Sequence, residues 1–142
     1  MIVERQQNNF PPELYYESQT RLWLRFEGDI ATVGLSVLAL ETFGDIAYIS
    51  TVQAGKPVER GQVIGTVEAA KIVDDLLAPI SGEITACNTE AQRNPGIINA
   101  DPYGGGWLVK VKPSAWERES VALIHGAALR PWIEEQRERL KL

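Results

Sequence analysis

The chain has 142 residues, 44% hydrophobic and 23% charged, which suits one domain with its own core and is too apolar for a disordered segment. Its net charge of −5, single histidine and single cysteine argue against a positive field for nucleic acid, an internal disulfide and a His/Cys zinc site. No apolar run nears the roughly 20 residues of a membrane span, and the first residues lack a signal-peptide pattern, so a cytoplasmic protein with protein partners, no nucleic acid and no membrane is expected.

Residues 1–20 read as an N-terminal extension that packs on the domain. Leu22, Leu24 and Phe26 then alternate with Arg21, Trp23 and Arg25, and Glu27-Gly28-Asp29 turns the chain into a return strand from Ile30 to Leu35. Ser36 is placed to cap a helix over Val37–Phe43 that Gly44 closes. Strands are expected at Ile46–Thr51, Gln62–Glu68, Ile72–Leu77 and Glu83–Asn88, with turns at Gln53-Ala54-Gly55, Glu59-Arg60-Gly61 and Pro79-Ile80-Ser81-Gly82. Asn88–Gly106 reads as a loop, and Trp107–Lys112 as a last strand with Leu108 and Lys110 on one face and Trp107, Val109 and Val111 on the other. Many short strands at close intervals imply a mainly β fold over residues 21–113, a sandwich or flattened barrel.

After Pro113 the pattern turns helical over residues 114–142. Ser114 is placed to cap a short helix ending near His125-Gly126, where the histidine would meet the helix dipole. A second helix has Pro131 in its first turn, and Leu129, Trp132, Ile133, Gln136 and Leu140 mark the stripe that packs on the β domain. Cys87 in a strand reads as a small buried hydrophobe, the four tryptophans as packing residues, and Gly104-Gly105-Gly106, with no helix after them, as a tight turn and no phosphate cradle.

Lys71 sits at the expected tip of the hairpin made by Gln62–Glu68 and Ile72–Leu77. A lysine to be acylated must be exposed and must lose a proton, so a tip suits it, although a lysine on a turn is more often simply solvated. The surrounding residues separate these readings. Val67-Glu68-Ala69-Ala70-Lys71, Asp75 and Ala78-Pro79-Ile80-Ser81-Gly82-Glu83 resemble the lipoylation hairpin of the H proteins of the glycine cleavage system. Downstream, Asn94-Pro95-Gly96-Ile97-Ile98-Asn99, Asp101-Pro102-Tyr103-Gly104 and Gly106-Trp107-Leu108 resemble the same family. So do, upstream, Pro12-Glu13-Leu14-Tyr15-Tyr16, Trp23, Ala31-Thr32-Val33-Gly34-Leu35 and Gly44-Asp45-Ile46.

The resemblance implies the lipoyl/biotinyl hybrid-motif fold and a carrier, not an enzyme. It implies lipoate on Lys71, recognition of the hairpin by a lipoate-attaching enzyme through Glu68, and arm contacts at Asp75 and Thr20. The implied partners are the enzymes of a glycine cleavage or heterodisulfide-reductase-like system, with dihydrolipoamide dehydrogenase for reoxidation. One departure bears on cargo. Where the family has His-Glu before the tryptophan, its Glu contacting the aminomethyl cargo, this chain has Arg21-Leu22, and the run from Tyr16 to Trp23 is one residue longer. Both features resemble the H-protein-like lipoate-binding proteins of sulfur oxidation, toward which the reading leans, with the glycine cleavage carrier as alternative and Asp74 or Glu17 as substitute carboxylates. A biotinyl carrier would place Met on both sides of the lysine, where Ala70 and Ile72 stand.

Overall fold

The two-residue turn Gly28-Asp29, with Gly28 at φ 62°, joins β2 (Leu22–Glu27) to β3 (Ile30–Leu35) as an antiparallel hairpin in which Glu27 faces Ile30. The computed structural model describes residues 10–141; the first nine residues of the expected N-terminal extension lie outside them. Within that range β1 (Tyr15–Tyr16) pairs with β2, and β3 pairs with β9 (Val109–Pro113). β8 (Gly82–Cys87) and β5 (Pro57–Val58) complete a six-stranded sheet in the order β1-β2-β3-β9-β8-β5. A second sheet has the order β4-β6-β7, from β4 (Ile46–Thr51), β6 (Val63–Ala69) and β7 (Val73–Leu77). The two sheets pack their apolar faces into one core, so the sandwich form of the expectation holds, and among the described residues no barrel closes.

The first half of strand β2, Leu22 to Leu24, is buried on both faces, which explains its run of large apolar residues. Leu22 and Leu24 enter the main core with Val33, Leu35, Ile64, Val67, Ile84 and Val111. Trp23 faces the other way, into a second cluster with Phe10, Leu14, Tyr16, Leu38 and the C-terminal residues Leu129, Trp132 and Ile133. Each such side chain contributes on the order of 1.5–3 kcal/mol of transfer free energy when fully buried. The Trp23 indole N–H donates to the Pro102 carbonyl (3.0 Å), so the Asp101–Gly104 motif anchors this strand.

Helix α1 (Val37–Phe43) begins as expected, the Ser36 hydroxyl accepting from the Ala39 N–H, and Gly44 ends it at φ 80°. Three expectations need correction. The stretch after Asn88 is not a bare loop: it holds α2 (Thr89–Arg93), capped by the Asn88 side chain, and α3 (Gly96–Ala100). Five residues give too little periodicity for a helix to show in sequence. The last strand starts at Val109, and Leu108 just before it is buried in the same core as Val109 and Val111 instead of on the opposite face, because its N–H is drawn to the Val33 carbonyl (2.8 Å).

Ser114, thirdly, caps nothing: α4 (Trp116–Glu119) starts from Ala115 without a side-chain cap. The chain after it is pulled into a β-bridge between Ile124 and Tyr16, so His125 lies in extended backbone, not at a helix end. Its ring stacks on Tyr15 at 4.0 Å, with Nδ1 2.9 Å from the Leu14 carbonyl oxygen. The final helix, α5 (Leu129–Leu140), packs Leu129, Trp132, Ile133 and Gln136 inward as its pattern implied. Cys87 is half-buried, its thiol donating to the Val52 carbonyl, in keeping with a structural role.

Candidate functional site

The β6–β7 hairpin leaves Ala70-Lys71-Ile72 at its tip, with Lys71 exposed. The tip is nevertheless fixed. The last carbonyls of a helix have no partner within it, and two of those of α1 are taken by Lys71: its backbone N–H donates to the Phe43 carbonyl (3.0 Å) and its ammonium Nζ to the Glu41 carbonyl (3.0 Å). A cation there also meets the negative end of the helix. Ala70 N–H donates to the Asp45 carbonyl (2.9 Å), and the Asn99 side chain holds the corner between α1 and β4, accepting from Ile46 N–H and donating to the Gly44 carbonyl.

Beside the tip opens a cleft of ≈ 330 Å³. Leu22, Leu35, Phe43, Ile72 and Leu76 give it apolar walls, and Thr20, Arg21, Asp74 and Asp75 supply its polar groups. The strand register separates the two aspartates. Asp74 pairs with Val67, itself paired with the buried Ile49, on the row that faces the core. Asp75 falls on the outward row with Thr66 and Ser50; both aspartates are exposed and both line the cleft, Asp74 from the core-facing row. Glu68 also lies on the outward face, across from Tyr48 and Val73, both exposed.

The opposite wall is the tight loop before β2. Glu17 is buried and its Oε1 accepts from the N–H groups of Gln19 and Thr20 (both 2.7 Å) and from the Thr20 hydroxyl (3.0 Å). That hydroxyl in turn accepts from Leu22 N–H. Glu17 is therefore committed to the loop and does not line the cleft, while Thr20 lines it with its hydroxyl already engaged. Arg21 closes the loop at φ 63°, a left-handed conformation that costs a non-glycine residue about 1 kcal/mol or more. Its Nε donates to Gln136 Oε1 (2.9 Å) on α5. Burial first, then the nearby Arg139, holds its pKa below the ordinary arginine value, and it stays a cation.

Thr20, Asp75 and Asp74 thus line one cleft, Lys71 stands at the hairpin tip beside it, and Glu17 does not line it. The sequence reading missed Glu41, Asn99, Gln136 and Arg137. Asn99 stood in a recognised motif without a role, and the others reach the site from 30 to 115 positions away in sequence, a distance over which local pattern carries no signal.

The sequence model of the Glycine cleavage H-protein family matches residues 14–136. The chain belongs to the glycine cleavage H-protein family. A glycine cleavage system H protein of Bacteroides fragilis is 42% identical over 106 residues, which cover 75% of this chain and 83% of that protein. One from Mycobacterium avium is 36% identical over 132 residues, covering 90% and 99%. The crystal structure of the H protein of Mycobacterium marinum superposes with a TM-score of 0.74 at 31% identity, covering 94% of this chain and 100% of that one. Members of this family are lipoyl carrier subunits, not enzymes, with lipoate held covalently on a lysine, and this chain is a carrier of that kind. Among the described residues no helix is long and apolar enough to cross a membrane.

Proposed function

We propose that Lys71 carries lipoate in amide linkage and that the chain is the H protein of a glycine cleavage system, shuttling an aminomethyl group between partner enzymes. The observation that carries this reading is an exposed, backbone-anchored lysine at a hairpin tip beside a cleft with apolar walls and carboxylates at its edge. The residues present fit the group: the apolar walls suit an aliphatic arm, and Asp74 suits a cationic end. When bound, lipoate supplies a dithiolane that opens on accepting a group and is reoxidised afterwards. The chain's own residues do the rest. The hairpin tip offers the amine to an attaching enzyme, Glu68 on the outward face offers a recognition charge, and the cleft between Leu22 and Leu76 shelters the arm's end from water. Partners are then a lipoate-attaching enzyme, the glycine-decarboxylating and aminomethyl-handling enzymes, and dihydrolipoamide dehydrogenase. Tethering raises the effective concentration of cargo at each of them.

One observation favours a second reading, in which the cargo is a sulfur-containing intermediate handled by heterodisulfide-reductase-like enzymes. Leu22 lines the cleft where a carboxylate would contact an ammonium group, a charged bond worth about 1.5–3 kcal/mol, and the cation Arg21 lines the same cleft. The names of the relatives support the first reading. Intact mass after co-expression with a lipoate-attaching enzyme is expected to rise by one lipoyl group, and a biotin-sized rise would overturn the assignment. Bicarbonate exchange with a glycine-decarboxylating enzyme then separates the two cargoes: robust exchange supports the first and its absence the second.

A further inference from the structure

Two consecutive residues of α5 reach the two sides of the lysine site. Gln136, only 2% exposed, accepts the Arg21 Nε–H and so holds the strained residue on the far wall of the cleft. Arg137 forms a two-pronged ion pair with Glu41, Nη1 to Oε2 at 2.8 Å and Nη2 to Oε1 at 3.1 Å. Glu41 is the residue whose carbonyl receives the Lys71 ammonium. The C-terminal helix lies far from Lys71 in sequence and does not line the cleft, yet each wall is tied to it by one side chain. A planar, bidentate guanidinium pair fixes orientation as well as distance, and an αL residue persists only where its surroundings hold it.

We propose that Gln136 and Arg137 are positioning residues for the carrier site, Arg137 setting Lys71 through Glu41 and the C-terminal end of α1, and Gln136 setting the cleft rim through Arg21. The inference rests on Lys71 being the acylated residue. Acylation leaves one N–H on Nζ, so the same carbonyl can hold the root of the arm after attachment, and α5 then sets the direction in which the arm leaves the hairpin.

The test uses the full unlipoylated chain. Carbon-13 relaxation at the ε-carbon reads how ordered Lys71 is, with exposed Lys56 as the mobile reference, and hydrogen exchange at the Arg21 Nε–H reads the rim. Arg137→Gln and Glu41→Gln are each expected to bring Lys71 close to the mobility of Lys56 while leaving Arg21 exchange unchanged. Gln136→Leu is expected to speed Arg21 exchange and leave Lys71 ordered. Arg130→Gln, on the exposed side of the same helix, is expected to change neither. In lipoyl transfer, Arg137→Gln should raise KM by about three- to five-fold, the range for losing one partly exposed ion pair, with kcat within about two-fold. Unchanged Lys71 order in both Arg137→Gln and Glu41→Gln overturns the proposal, as does loosening of both walls together in every variant, which marks a merely structural helix. Failure of the wild-type chain to accept lipoate would instead defeat the assignment of Lys71, and the relaxation data would still judge the positioning.

Discussion

On the hairpin side of the cleft, Lys71 is held by ordinary means: a strand turn, two main-chain hydrogen bonds and the open carbonyls at the end of α1. On the facing side, Glu17 is buried to satisfy a tight loop and Arg21 is forced into a left-handed conformation. The first side resembles any well-made turn and keeps its lysine exposed. The second stores strain and places a cation and a leucine against the cleft. The hairpin side thus leaves its lysine open to an approaching protein, whereas the facing side spends a buried carboxylate and a strained residue on fixing its own shape. Strain of this kind gathers where a fold holds a side chain for a purpose.

Substitutions that break either side separate the two roles. Lys71→Arg should have the largest effect, complete loss of lipoyl attachment with the melting temperature unchanged, read by intact mass and calorimetry. Gly34→Ala comes next. A Cβ there would lie 2.5 Å from the Trp23 ring, which is fully buried, and overpacking of this kind costs about 2 kcal/mol, measurable by chemical denaturation. Glu17→Ala removes one acceptor that serves three donors in the loop and should cost about 1–2 kcal/mol, without reducing lipoyl attachment at Lys71. The smallest effect is a difference between two variants. Arg21→Gly relieves the left-handed strain that Arg21→Ala retains, while both lose the Gln136 bond, so the glycine variant should be the more stable by about 1 kcal/mol. Equal stability would mean the loop relaxes once the arginine is gone.

Much of the frame and of the hairpin side was legible from the sequence because its causes are local. Gly28, Ser36 and Gly44 mark turns and caps through their own backbone chemistry, alternation marks β2, and Lys71 sits between two strand patterns. The facing side was not. Arg21 is held in its conformation by Gln136 from across the molecule, and Glu17, which reads as a free carboxylate, is consumed by its own loop. Asp75 could not be told from Asp74 until the register assigned them to opposite faces. Helices α2 and α3 escaped notice because five residues make little more than one turn, and the helix expected after Ser114 is cut short because a long-range bridge from Ile124 to Tyr16 overrides the local helical pattern.

Peptide-level mass spectrometry of the chain, purified from a host that makes lipoate and an attaching enzyme, tests the central claim most directly. The account predicts a lipoyl group on the peptide that contains Lys71 and on no other. A lipoyl group on Lys56, Lys110, Lys112 or Lys141, or an unmodified Lys71 peptide beside a lipoylated control carrier from the same cells, would contradict it.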